Sequence, residues 1–440
     1  MKIKYTQYFW SFVLVLASVR GAFVYHLGLS PNMIYTLTGI LLICFGLLSF
    51  RYMLVNKGDK SLVLLRNAVV INYIFIGFYM LVSMFAISLN QYSLAYSFAV
   101  FPIIFTLIKY EDRLLNGIVY TIMLITVVGV VYFYNIGISG GFDAIEAANL
   151  TLRPGELRYS RIGENLLPAG YQGDHHDAAN ILVMCGVFIL SKSMLTQELF
   201  IKYLDLSVYF LVVFAALLTG STANFIVLVA VSSLTLLFYA KKHPYMMMLI
   251  VCCAIFAIPL LLDALSNFTY LYEKASYNQF ELEGGGMFNS LDMKSILSSF
   301  HAILFGFGYV FKVPMINSEI AFVKALVMIG FIPFLVLMFI CFSPLYYIHT
   351  FRKNIKSRAR VLRYHNPSFS TANFINTNQA FQHRLIIAAM PVLAGTLTLL
   401  HYGSLFRVTS VGLFCVLIAI FFKEYLSLNK MREMQWPTQN

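Results

Sequence analysis

Leu114-Leu-Asn-Gly-Ile-Val-Tyr-Thr-Ile-Met-Leu-Ile-Thr-Val-Val-Gly-Val-Val-Tyr-Phe-Tyr-Asn-Ile136 carries no charged side chain from end to end. A helix rising about 1.5 Å per residue needs about 20 such residues to cross a hydrocarbon core about 30 Å thick. A strand of a membrane barrel would alternate in polarity over about ten residues, and this stretch does not. Comparable runs recur along the chain, over 6–26, 31–52, 64–88, 91–109, 177–194, 203–219, 222–240, 245–263, 319–347, 385–402 and 407–427. In lipid the backbone must satisfy its own polar groups, so these runs read as helices. The expected fold class is all-α: a polytopic integral membrane protein of about twelve transmembrane helices, one transmembrane domain over 1–440.

Composition agrees. Hydrophobic residues make up 60% of the chain and charged residues 11%, against about 25% charged in soluble domains. The net charge of +12 resembles that of a nucleic-acid binder, but the basic residues lie in short loops between apolar runs. That is the positive-inside signature, and it leaves no basic soluble face for a nucleic-acid partner. With both termini cytoplasmic, 22 of the 31 Lys and Arg residues fall inside and six fall outside: Arg153, Arg158, Arg161, Lys274, Lys294 and Lys312. The six cysteines all sit in apolar runs, without disulfide or zinc spacing. The first run, Tyr8 to Tyr25, lacks a small-residue cleavage site and reads as a retained span.

Three loops stand out. Two long ones are expected on the outer face, over 137–176 and 264–318, and the second contains the flexible Glu283-Gly-Gly-Gly286. The third, 349–384, is basic and is expected on the cytoplasmic side as an anchor against anionic lipid.

Half of the outer basic residues lie within Leu152-Arg-Pro-Gly-Glu-Leu-Arg-Tyr-Ser-Arg161. Arginine offers a planar fork of donors that grips phosphate oxygens in pairs. Arg153, Arg158 and Arg161 therefore read as a site for the phosphate or pyrophosphate of a lipid carrier; the alternatives are lipid headgroups and pairing with Glu156 and Glu164. Next comes Gly170-Tyr-Gln-Gly-Asp-His-His-Asp177. His175 or His176 can serve as a general base for a sugar hydroxyl, while Asp174 and Asp177 also fit the outline of a helix cap. A metal site on the two histidines would need a third ligand that the sequence does not place, so no metal is expected. Glu319, at the start of a span, can take a proton, or can simply favour the helix dipole. Lys324, deeper in the same span, either faces a polar cavity or snorkels. Arg20, His401 and Arg407 are ionisable groups at membrane depth or at its edge, where they face a cavity or a partner by default. Thr219-Gly-Ser-Thr222 reads as a tight outer turn.

Three stretches resemble, in order and sidedness, the bacterial O-antigen polymerase and ligase superfamily. The segment from Arg161 to Leu182 places Ala179-Asn180 before an apolar helix. Leu217-Leu-Thr-Gly-Ser221 is similar to the family's Leu-Thr-x-Ser-Arg turn. Leu304-Phe-Gly-Phe-Gly308, followed by Asn317-Ser-Glu319 and Gly330, resembles the segment after the long outer loop. Thr222 stands where the family often has arginine, and the region of Glu319 lacks the histidine usual in ligases; both favour a polymerase. The resemblance implies a glycosyltransferase of surface polysaccharide (lipopolysaccharide) biosynthesis at the outer face of the bacterial inner membrane, working without metal ion or cofactor. Donor and acceptor would be oligosaccharides linked to undecaprenyl pyrophosphate. Arg161, Arg158, Arg153, Arg407 and Arg20 would hold the pyrophosphate, and His176, Glu319 or His175 would supply the base. Asp177, Asn180, Ser221, Lys324 and His401 would make further substrate contacts. Membrane lipids and a chain-length regulator are the other partners implied. The competing readings are an O-antigen ligase acting on a lipid A core and a flippase for lipid-linked oligosaccharides.

Overall fold

The structure, a computed structural model, describes residues 2–55, 60–85, 99–147, 159–162, 165–172, 175–240, 326, 329–365, 371–400 and 408–435. Its helices are α1 (Lys2–Ser18), α2 (Arg20–Leu27), α3 (Pro31–Val55), α4 (Val63–Phe85), α5 (Ile103–Leu107), α6 (Asp112–Ala147), α7 (His175–Leu195), α8 (Leu199–Leu218), α9 (Thr222–Ala240), α10 (Phe331–His365), α11 (Thr371–Leu397) and α12 (Val408–Gln435). Among the described residues, eight helices are long and apolar enough to cross a membrane, and nine if the bent pair α1–α2 counts as one span. The chain is thus a helical membrane protein. The expected span 245–263 and the first part of 319–347 lie outside the described residues.

Helix α7 is the axis of the bundle. Eighteen of its 21 residues are buried, and it packs against α6, α8, α9, α11 and α12. A helix that is apolar all round belongs inside a bundle, and α7 fits because small residues let its neighbours approach. A Cβ on Gly186 would stand 3.2 Å from both Leu228 and Val212. One on Gly395 of α11 would stand 2.8 Å from Phe414 of α12 and 2.9 Å from Met184 of α7. Lipid tails are as apolar as leucine, so such close packing, rather than hydrophobic exclusion, holds membrane helices together.

Three expectations are corrected. The run 6–26 is not one straight span: α1 and α2 meet at 76°. Ser18 Oγ donates back to Leu14 O (3.1 Å) at the break, and Gly21 N–H leaves the helix to donate to Tyr171 O (3.1 Å). The all-α class holds, and the one departure is local: within the loop 137–176 the described residues include an antiparallel hairpin of β1 (Tyr159–Ile162) and β2 (Asn165–Pro168). Four residues are the shortest run in which alternation can show, and Asn165-Leu-Leu-Pro168 does not alternate. That loop is also shorter than expected, since α6 runs on to Ala147. The basic stretch 349–384 is mostly helix, covered by the end of α10 and the start of α11. Lys and Arg are good helix formers, so charge alone does not end a helix.

Proline inside α10 is accommodated locally. Pro344 cannot donate to the carbonyl of Ile340, and Ser343 Oγ donates to that oxygen instead (2.7 Å). Substituting leucine at Gly395 is expected to destabilise the bundle by about 1–3 kcal/mol through overpacking. Alanine at Gly39, where nothing among the described residues lies within 4 Å, should not lower stability. Thermal unfolding of the purified protein in detergent would compare the two, and equal stabilities would contradict the close approach at Gly395.

Candidate functional site

At one end of the bundle the starts of α7, α9 and α12 meet the break between α1 and α2. The described part of the hairpin segment contacts α6 at this end. The chain entering α7 is held down first. Ala169, Gly170, Tyr171 and Gln172 are non-helical yet buried. Gly170 adopts a φ of +58°, which glycine reaches without strain. Gln172 Nε2 donates to Thr126 Oγ1 of α6 (2.8 Å). The Tyr171 ring lies over Gly129 of α6, where a Cβ would come within 2.6 Å of it. The Tyr171 hydroxyl is 2.6 Å from His26 Nε2 of α2. Irregular backbone inside a membrane bundle is stable only when protein shields it, and this segment meets that condition.

Three residues on, α7 opens with the histidine pair. The rings of His175 and His176 lie 3.7 Å apart between centroids, tilted by 40°. His175 is buried and His176 half-buried. His176 Nδ1 is 2.9 Å from Ser221 Oγ, in the turn before α9. Asn224, one turn into α9, donates from Nδ2 to Ser221 Oγ (3.0 Å) and to the carbonyl of His176 (3.4 Å). Gly220 takes a φ of +68°, and Thr219 Oγ1 accepts from Ser221 N–H (3.4 Å), which shapes the turn. Asp177 is buried with Oδ2 3.5 Å from Thr409 Oγ1 at the start of α12. Asn180, one turn below His176, is 1% exposed, and both ends of its amide lack a hydrogen-bond partner among the described residues. A buried amide in that state is costly, so Asn180 has the capacity for a further hydrogen-bond partner.

The structure therefore brings together His175, His176, Asp177, Asn180 and Ser221. Arg20 lies at the same end, half-buried, with its guanidinium 3.9 Å from the ring centre of Tyr35. The backbone of Arg161 is in β1, paired with Leu166. Arg153, Arg158, Glu319, Lys324, His401 and Arg407 lie outside the described residues. Asn224, Thr409, Gln172, Tyr171 and His26 join the site without having been singled out in the sequence. Asn224 stands three residues after Ser221, the spacing that puts two side chains on one helix face, and that was the signal available for it.

A second polar cluster sits at the opposite end of α7. Lys192 Nζ donates to Tyr120 OH of α6 (2.9 Å), and Tyr120 OH donates to Asp205 Oδ1 of α8 (2.5 Å). Asp205 is buried. Nearby, Lys423 pairs with Asp112 (2.7 Å) and Arg384 with Glu424. The phenol bridges an ammonium and a carboxylate too far apart to pair directly, which ties three helices together. Replacing Tyr120 by phenylalanine leaves the buried Asp205 without that donor. The expected cost is about 1–3 kcal/mol, readable as a lower midpoint of thermal unfolding in detergent; an unchanged midpoint would show the bridge to be dispensable.

No family model matches the chain, and no match to it was found among the curated proteins.

Proposed function

We propose that the protein is an O-antigen-type polysaccharide polymerase, a glycosyltransferase that joins undecaprenyl-pyrophosphate-linked oligosaccharide units at the outer face of the bacterial cytoplasmic membrane. The observation that carries this reading is the cluster of His175, His176, Asp177, Asn180 and Ser221 at one end of a membrane bundle, beside Arg20 and the hairpin that holds Arg161. It unites hydroxyl-compatible hydrogen-bonding groups with cations at the depth where a lipid-linked diphosphate would sit. The described basic residues Lys192, Lys202, Arg384 and Lys423 collect at the opposite end, which supports placing that end in the cytoplasm. Twelve spans with both termini cytoplasmic complete the topology.

The reaction needs no nucleotide, because the donor arrives activated. The bond between the anomeric carbon and the diphosphate oxygen breaks, and its electron pair stays on the diphosphate. The acceptor's hydroxyl oxygen bonds to that carbon and its proton passes to a base, for which His175, His176 and Glu319 are the alternatives. Arg161, Arg158, Arg153, Arg407 and Arg20 neutralise the departing charge. A groove between helices takes the polyprenyl tails.

Deleting the gene should leave surface glycan as single capped repeats, and the wild-type gene should restore the ladder seen on a gel. Arg161→Ala should abolish long chains while the protein stays in the membrane. Arg161→Lys should also be poor, because a point charge loses the bidentate geometry. A full ladder in the deletion strain would refute the assignment, and normal chain length in Arg161→Ala, Arg158→Ala and the double variant would remove the phosphate role.

A further inference from the structure

The hydrogen bonds around Ser221 have a direction. The carbonyl oxygen of His176 can only accept, so the atom of the Asn224 amide that faces it is the nitrogen (3.4 Å). That same nitrogen lies 3.0 Å from Ser221 Oγ, so Ser221 accepts a proton there. Ser221 is 2% exposed, and its own hydroxyl proton still needs an acceptor. Among the described residues the acceptor within reach is His176 Nδ1, at 2.9 Å. An imidazole nitrogen that accepts a hydrogen bond carries no proton, so the neutral ring holds its proton on Nε2. The chain runs from Asn224 Nδ2–H to Ser221 Oγ–H to His176 Nδ1.

We infer that Asn224 is a positioning residue: through Ser221 it holds His176 in the form protonated at Nε2, and His176 meets the substrate as a hydrogen-bond donor rather than as a base. The donor role rests on the glycosyl-transfer reading above; the assignment of the proton does not. A neutral Nε2–H donor at this site stabilises the negative charge that develops on the departing diphosphate, and it leaves removal of the acceptor's proton to another group. Asn224 touches neither reacting partner. Its part is to orient Ser221, and Ser221 in turn fixes the ring.

The full-length protein, labelled with ¹⁵N-histidine and held in lipid nanodiscs, gives two-bond ¹H–¹⁵N correlations that distinguish the two neutral tautomers. The His176 signal is identified by its loss in His176→Gln. The wild type should show the proton on Nε2. Asn224→Asp replaces the donor by an acceptor for the Ser221 proton, so Ser221 must then accept from His176, and the proton should move to Nδ1. If that variant does not accumulate, Ser221→Ala removes the donor to Nδ1, and the preference for Nε2 should disappear. A wild-type proton on Nδ1, or a tautomer unchanged by either variant, overturns the inference. The donor role is read by elongation of lipid-linked repeats with purified protein. Glutamine places an amide nitrogen near the position of Nε2 and asparagine near that of Nδ1. His176→Gln should stay within about tenfold of the wild type, and His176→Asn should lose about 10²–10³-fold. Equal losses overturn the donor role. Absence of elongation by the wild type overturns the glycosyl-transfer reading and leaves the tautomer result standing.

Discussion

The enclosure of α7 is the constraint on which the rest of the structure depends. With 18 of 21 residues buried, this helix packs against five others among the described residues and offers lipid almost nothing. Its first turn nevertheless contains two histidines, an aspartate and, one turn on, an asparagine. Such groups are costly to leave alone in a low-dielectric bundle. Partners have to come from the ends of the neighbouring helices, which is where Ser221, Asn224 and Thr409 stand. The site therefore lies where a buried helix with a polar start forces three helix ends to converge.

The same pressure shapes the chain that leads into α7. A segment descending to the level of Thr126 must hide its backbone, and it does so with Tyr171 lying on Gly129 and Gln172 on Thr126. The break between α1 and α2 is the other half of that packing. Gly21 N–H is released from the helical ladder at the bend and is satisfied by the Tyr171 carbonyl (3.1 Å). Bend and buried loop complete each other's hydrogen bonds, so neither is stable alone.

Much of this was legible in the sequence, and what was not has physical reasons. Spans such as 114–136 and 177–194 show plainly because hydropathy is a local property summed over about 20 residues. The bend after Ser18 does not show, because the residues on either side are apolar and the partner that fixes the bend is Tyr171, about 150 positions away. His175, His176 and Asp177 drew attention because polar residues at the head of an apolar run conflict with their surroundings. Asn224 and Thr409 did not, because each looks ordinary in its own segment and acquires meaning from a contact 48 or 232 residues distant. Charge read as loop was misleading at 349–384, since Lys and Arg extend helices as readily as they decorate turns.

The two ends of α7 solve one problem in different ways, and the difference bears on function. At the Lys192 end a cation and a carboxylate are bridged by a phenol. Breaking the link to Asp205 leaves a buried carboxylate without that donor, so that end resists opening. At the His176 end the links described are mostly between uncharged groups: Asn224 to Ser221, Ser221 to His176, Gln172 to Thr126 and Tyr171 to His26. A neutral bond of this kind is worth about 1 kcal/mol net, so an incoming polar ligand can replace it at small cost. A bundle needs one rigid end to hold its helices in register. It needs one end with exchangeable hydrogen bonds if a polar headgroup is to enter between those helices, and among the described residues the His176 end gathers the larger set of them.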